Sequence, residues 1–383
     1  MSDQSLRQRL LRPSTLALAV LLVVLLILPL YVDEFWLRTG FAVMGAIVGA
    51  IGLNLLVGNT GQLSLAHAFF LAVGAVTYCY VSGKAGGTAT KVGGLGLPPL
   101  VGMILGVLLA GLAGLLFSPI AARLRGIYLG VASIGLVFIG QHVLNVAPKI
   151  TGGFNGRITP KFSLFGFEFS DKHPALYILN VPFNGPERLW YLGLAIAALS
   201  MVFARNLLRS RPGRAAQTLR DSEVAAAVMG VNVQGYKARV FLISSMYAGL
   251  AGVLYALSIG SIAPESFSLD LSFQYLAMIV LGGLGSVGGA ALGAVFVSAL
   301  PLVFQQYAGS IPFLAQPGQA GVNAAQAARF LYGIAIILVL LFEPGGLAGL
   351  ARRLQRRPRE PGRSTAARTT QAPSDAPAQG SPA

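Results

Sequence analysis

Charge is scarce in this sequence. Asp, Glu, Lys and Arg make up 11% of its 383 residues, where soluble domains carry about 25%. That deficit excludes an ordinary soluble domain and leaves a polytopic membrane protein as the expected class. Cysteine is nearly absent: Cys79 stands alone, so neither an intramolecular disulfide nor a cysteine metal cluster can form. The histidines His67, His142 and His173 have no neighbours at ligand spacing, and no metal site is assigned. No G-x-x-x-x-G-K-[ST] loop occurs, so the chain has no phosphate loop with which to hydrolyse ATP. Paired carboxylates and nucleophile–base sets are missing from the apolar stretches, which argues against a membrane enzyme.

Long hydrophobic runs fill the space. The first, 14–32, is about the ~20 residues needed to cross a bilayer. It follows Arg7, Arg9 and Arg12 and runs into Tyr31-Val32-Asp33-Glu34 without a small-residue cleavage site, so it reads as an uncleaved span rather than a signal peptide. Further runs at 39–57, 62–82, 97–118, 127–147, 189–204, 240–258, 271–285, 287–307 and 328–343 bring the expected spans to about ten. Merging 271–285 with 287–307 into one broken helix would strand Arg352, Arg353, Arg356 and Arg357 outside. The expected fold is therefore all-α: a cytoplasmic N-terminus at 1–13, a transmembrane domain over 14–345, and a cytoplasmic, disordered tail over 346–383 rich in Ser, Thr, Pro and Ala. Ten spans divide five and five, and an odd number per half permits an inverted repeat.

The net charge is +15, from 28 Lys/Arg against 13 Asp/Glu. In a soluble protein this would point to nucleic acid; here the charges sit in loops and at the ends, and no nucleic-acid partner is expected. With both termini in the cytoplasm, 19 of the 28 basic residues lie inside and nine outside, as the positive-inside rule requires. Two loops are sizeable. The outer one, 148–188, contains SLFGFEFS at 163–170, which alternates as a short strand does. The inner one, 205–239, carries seven Lys/Arg (Arg205, Arg209, Arg211, Arg214, Arg220, Lys237 and Arg239) with Asp221 and Glu223. A third segment, 308–326, is Gly/Pro-punctuated loop.

Two stretches are candidates for function. Gly58-Asn59-Thr60-Gly61-Gln62-Leu63-Ser64-Leu65-Ala66-His67 joins two spans and places glycines, an amide and a histidine near the bilayer. Irregular backbone at that depth survives only where protein or a water-filled cavity covers it. Gln62, Ser64 and His67 then offer hydrogen bonds to a pathway, or serve only to glue helices together. In the inner loop, Thr218-Leu219-Arg220-Asp221 has the spacing of a helix-start capping signal, and Gly230 suits a helix stop. The short helix between them either inserts Val228 and Met229 into a partner's groove or is an ordinary solvated loop helix.

GNTGQLSLAHAFF at 58–70, TGGFNG at 151–156, GRAAQTLRDSEVAAAVMGVN at 213–232 and GGLGSVGGAALGA at 282–294, in this order, resemble the permease subunits of branched-chain amino-acid ABC importers, the LivM-like branch. Ala66 stands where that family usually has glycine. The resemblance implies a type II-like ABC importer permease in the bacterial inner membrane. It would pair with a second, homologous permease, two ATP-binding cassette subunits that carry ATP-Mg, and a periplasmic substrate-binding protein. The chain itself would bind no cofactor. The inner loop would be the coupling element, with Arg220, Asp221, Glu223, Met229 and Gly230 at the ATPase contact, and Gln62, Ser64 and His67 near the pathway. The family also resembles permeases for urea, short amides and other small acids. No Asp, Glu, Lys or Arg lies inside a span, which argues against a rival ion-coupled carrier; a passive channel is a further rival.

Overall fold

The computed structural model describes residues 13–86, 93–124, 126–164, 166–169, 176–178, 181–307, 324–342 and 345–355. The N-terminus before Pro13, most of the expected loop at 308–326 and the tail from 356 onward lie outside the described residues. A helix stands at each of the ten expected spans: α1 (Pro13–Ile27), α2 (Glu34–Thr60), α3 (His67–Ser82), α4 (Pro99–Arg123), α5 (Ile127–Val146), α6 (Gly185–Arg209), then, after two short loop helices α7 (Arg211–Asp221) and α8 (Glu223–Val228), α9 (Val233–Ile259), α10 (Leu269–Gly282), α11 (Val287–Gln306) and α12 (Ala324–Phe342). A last helix, α13, spans Gly346–Gln355.

Six of these, α2, α4, α5, α6, α9 and α11, are long and apolar enough to cross a membrane by themselves. Others are not. With 16 and 14 residues, α3 and α10 extend about 24 and 21 Å, short of the ~30 Å hydrocarbon layer. Each short helix follows the same local plan. A 27-residue helix (α2 or α9) ends on a left-handed glycine, Gly61 at φ 68° or Gly260 at φ 79°. A non-helical stretch follows (61–66 or 260–263), and the short helix begins beyond it. The five-and-five division thus appears as a repeated pattern of elements although the halves show no convincing sequence identity.

Packing follows the same symmetry. The two long helices run antiparallel at the centre, with Gly45 against Leu254 and Gly52 against Tyr247. Helix α9 packs on α3 and α4 of the first half, and α2 packs on α10 and α11 of the second. These contacts are close because small residues line them. A methyl group at Gly252 would collide with the backbone of Leu71, and one at Gly74 with the backbone of Gly249. In lipid, where tails are as apolar as leucine, such backbone approach is a main source of helix–helix attraction.

The stretch from 271 to 307 is two helices, not one broken span. Helices α10 and α11 fold back on each other through 283–286, where Gly283 and Gly285 take φ 111° and 81°. The segment 163–170 is not a single strand. Gly166, at φ 88°, turns the chain so that Ser163–Leu164 pairs antiparallel with Phe167–Glu168. The expected tail at 346–383 does not start unstructured, since α13 occupies its first ten residues and sets Ala348 against Gly289.

The segment around 157 belongs to the end of the bundle where α9 finishes: Arg157 and Ile158 pair with Ile262 and Ser261. Buried Arg157 fixes it there by donating to the carbonyls of Ile150 (2.6 Å) and Gly93 (2.5 Å). Helices α7 and α8 sit at the other end, about 40 Å away along α9.

Candidate functional site

The basic stretch folds as two helices meeting at Ser222. Helix α7 is capped by Ser210, whose hydroxyl accepts from the Gly213 amide, with Pro212 in the first turn. It buries Gly213, Ala216 and Leu219, a spacing of three that places them on one face. The remaining positions carry the charges. Thr218-Leu219-Arg220-Asp221 is the last turn of α7 rather than a helix start. Thr218 donates its hydroxyl proton back to the Arg214 carbonyl, and the cap of the next helix is Ser222, which accepts from the Ala225 amide at 3.2 Å.

Arg220 ties this loop to the core. Its Nη1 donates to the carbonyl of Gly58 at 2.6 Å, at the last turn of α2. That turn is also where the α10–α11 joint docks. Asn54, 1% exposed, accepts from the Gly285 amide at 2.9 Å and donates to the Ser286 carbonyl at 3.0 Å. Its amide thus satisfies both a donor and an acceptor of the joint. Gly58 is glycine because a Cβ there would meet the Asn54 oxygen and the Gly285 nitrogen. Arg220, Gly58, Asn54 and Gly285 form one contiguous joint between the basic loop, α2 and the α10–α11 turn.

Helix α8 is short and presents an apolar face. Val224, Val228 and Met229 are 73%, 84% and 77% exposed, while Ala226 is buried. Gly230 takes φ 80° and closes the helix: its amide donates to Ala227 and that of Val231 to Ala226, the paired bonds of a left-handed C-terminal cap. Glu223 bonds Lys237 of α9 at 2.6 Å, and the lysine side chain is only 4% exposed. Asp221 is exposed. Among the five residues assigned to the loop, Arg220 and Glu223 therefore anchor it inward, and Asp221, Met229 and Gly230 lie on its free surface.

The residues assigned to the pathway are all buried. Gln62, Ser64 and His67 are 6%, 2% and 2% exposed. They sit in the irregular stretch and at the first residue of α3. This segment is held from two sides: the Leu65 amide donates to Ser133 of α5 at 2.8 Å and the Ala68 amide to Ser272 of α10 at 3.0 Å. The His67 ring lies 4.8 Å from that of Tyr275. Its Nε2 and both amide atoms of Gln62 have no partner among the described residues. Ala66, fully buried, has φ −79°, so the local backbone does not need the glycine usual in the motif.

Asn54, Lys237 and Tyr275 were not legible as site residues. An amide in an otherwise apolar span was the available signal for Asn54. Nothing in the sequence pairs Lys237 with Glu223 or Tyr275 with His67.

Residues 37–340 match the family described as "Branched-chain amino acid transport system / permease component". The chain belongs to that family. The permease is 33% identical over 292 residues to the high-affinity branched-chain amino acid transport system permease protein LivM of Salmonella typhimurium, and 34% identical over 292 residues to that of Escherichia coli. In both cases the match covers 74% of the chain and 66% of the relative. A probable LivM of Methanocaldococcus jannaschii is 26% identical over 337 residues, 83% of the chain and 89% of the relative. No solved structure matches. Family membership and the apolar helices make this permease a multi-pass membrane protein.

Proposed function

We propose that this permease is the membrane subunit of an ATP-driven ABC importer in a bacterial inner membrane, moving branched-chain or similar small amino acids inward. Its partners in this reading are a second homologous permease, two ATP-binding cassette subunits carrying ATP-Mg, and a periplasmic binding protein. The basic loop and both termini face the cytoplasm. The observation that carries the reading is the bond from Arg220 to the Gly58 carbonyl. It joins an exposed loop, with an apolar face free to enter a partner's groove, to the end of a central helix and to the α10–α11 turn at once. A push on α8 passes through α7 into α2 as a rigid-body displacement, the kind of motion that alternates access in transporters built from inverted repeats. The spans carry no charge in their interiors, in keeping with an aliphatic cargo and with energy supplied by another subunit rather than by an ion relay.

The test is Arg220→Glu in the complete transporter reconstituted in vesicles. Carboxylate and carbonyl oxygen repel where the guanidinium donated, so leucine uptake falls by at least about tenfold, ~1.4 kcal/mol of coupling, with the subunits still co-purifying. Wild-type uptake by the variant removes Arg220 from the transmission. Uptake driven by an ion gradient without ATP or partner subunits would instead establish the ion-coupled carrier.

A further inference from the structure

The seven basic residues of the loop at 205–239 fall into two groups. Three are engaged within the chain: Arg220 by the Gly58 carbonyl, Lys237 by Glu223, and Arg239 by the Tyr236 ring, whose centre lies 5.5 Å from the guanidinium. The other four, Arg205, Arg209, Arg211 and Arg214, are all exposed, and none of them forms an ion pair among the described residues. Arg214 donates to the Arg209 carbonyl at 2.9 Å, a bond that leaves its charge uncompensated and pins the start of α7 beside the end of α6. The acids of the loop stand apart. Glu223 holds Lys237, and Asp221 lies seven residues beyond Arg214, about 10 Å along α7. Four guanidiniums of like charge in one short elbow repel one another, and an anion placed among them relieves that repulsion.

The place of the elbow says which anion. Of the six long helices, α6 buries the smallest share of its apolar stretch, 22%, and Leu199, Val202 and Phe203 are each more than half exposed. Such a face meets acyl chains. Arg205 and Arg209 follow Val202 at three and seven residues, on the same side of the helix and about 5 and 10 Å farther along it. Their stems lie along the apolar face and carry the charge out to the headgroup layer. Past Ser210 the chain turns into α7, which buries Gly213, Ala216 and Leu219 and leaves Arg211 and Arg214 outside. One pair of arginines thus ends the lipid-facing helix, and the other starts the next. Guanidinium groups take phosphate bidentately, and four or more Lys/Arg next to a span attract anionic lipids.

We infer that the elbow between α6 and α7 binds the phosphate headgroup of an anionic phospholipid, in the cytoplasmic leaflet in the proposed orientation, and that this lipid holds the start of α7 at the membrane surface. Both ends of α7 are then tethered: the first turn to the lipid through Arg211 and Arg214, the last turn to α2 through Arg220 and the Gly58 carbonyl. A load on α8 turns α7 about a fixed end instead of tilting the whole loop, and the displacement is delivered at Gly58. The part the lipid plays in transmission rests on the proposed coupling through Arg220; the lipid site itself rests on the four exposed arginines and the apolar face they continue.

The experiment uses the complete transporter in phosphatidylcholine vesicles with and without phosphatidylglycerol, in a Cys79→Ala background. Asn206→Cys, exposed beside Arg205, carries a bimane. Its quenching is compared for phosphatidylglycerol and phosphatidylcholine bearing the same nitroxide near the headgroup end of an acyl chain. Phosphatidylglycerol is expected to quench at least about fivefold more strongly, the preference that one such arginine supplies. Arg205→Gln, Arg209→Gln, Arg211→Gln and Arg214→Gln combined bring the two lipids level, and the same four changes to Lys keep the preference. Leucine uptake is expected to fall at least about fivefold when phosphatidylglycerol is omitted, and the Gln variant to show no such dependence. Equal quenching by the two lipids around the four native arginines overturns the site. If the Gln variant also loses the ATP-binding cassette subunits, the arginines serve that contact instead. A preference that millimolar inorganic phosphate removes overturns the lipid in favour of free phosphate. Uptake indifferent to phosphatidylglycerol removes the lipid from the transmission. If no vesicle imports leucine at any composition, the import reading fails, while the quenching ratio still decides the lipid site.

Discussion

Asn54 shows how much a single buried amide decides. Its two polar atoms satisfy the Gly285 amide and the Ser286 carbonyl, groups of a turn that no regular secondary structure can pair. Leucine has nearly the same shape and neither bond. Asn54→Leu leaves a half-buried donor and a half-buried acceptor without partners, at up to roughly 1–3 kcal/mol each. The expected result is a lower midpoint for thermal unfolding of the purified transporter, together with loss of ATP-coupled uptake. A midpoint equal to wild type would mean that the turn finds other partners. Asn54 was visible in the sequence as an amide in an apolar run, but its partner is more than 200 residues away, beyond the reach of local pattern.

Among the elements, α8 is the one whose role rests on what it leaves uncovered. Six residues are too few for a helix to hold by itself; Ser222, Gly230 and the Glu223–Lys237 pair hold it instead. Its exposed Val228 and Met229 contribute little to folding, and surface substitutions of this kind usually shift stability by less than about 0.5 kcal/mol. Val228→Asp combined with Met229→Glu is therefore expected to leave membrane insertion and thermal stability unchanged while the proposed ATP-binding cassette subunits no longer co-elute. Co-elution at wild-type yield would show that this face touches nothing that matters for assembly. The sequence marked both ends of this region but misread one. The capping pattern at Thr218 was genuine in spacing, yet α7, started by Ser210 and Pro212, had already claimed those residues.

The whole molecule is two halves wound through each other. Each long helix packs against the short helix and the following helix of the other half. The halves therefore cannot part as independent bodies, and displacement of α2 or α9 is felt on both sides. The plan also fixes which features share an end: the segment anchored by Arg157 lies opposite the Arg220 joint. The proposed sidedness rests on the placement of the basic residues, and it is open to a direct test. In a Cys79→Ala background, Ser222→Cys on the exposed loop is expected to resist a membrane-impermeant thiol reagent added to intact cells and to react once they are permeabilised. Labelling in intact cells would place the basic loop outside and end the coupling proposal.

The sequence by itself determined the class, a helix at each of the ten apolar runs, the basic loop and the family, because each is written locally: in runs of apolar residues, in charge placement and in short motifs. The length of α3 and the start of α13 needed the tertiary structure, since hydropathy does not record where a helix begins inside an apolar run. The joints at Arg220 and at Asn54 were also decided only there. Each is built from residues far apart in the chain, and only the crossing of α2 and α9, at glycines small enough to let backbones touch, brings them together.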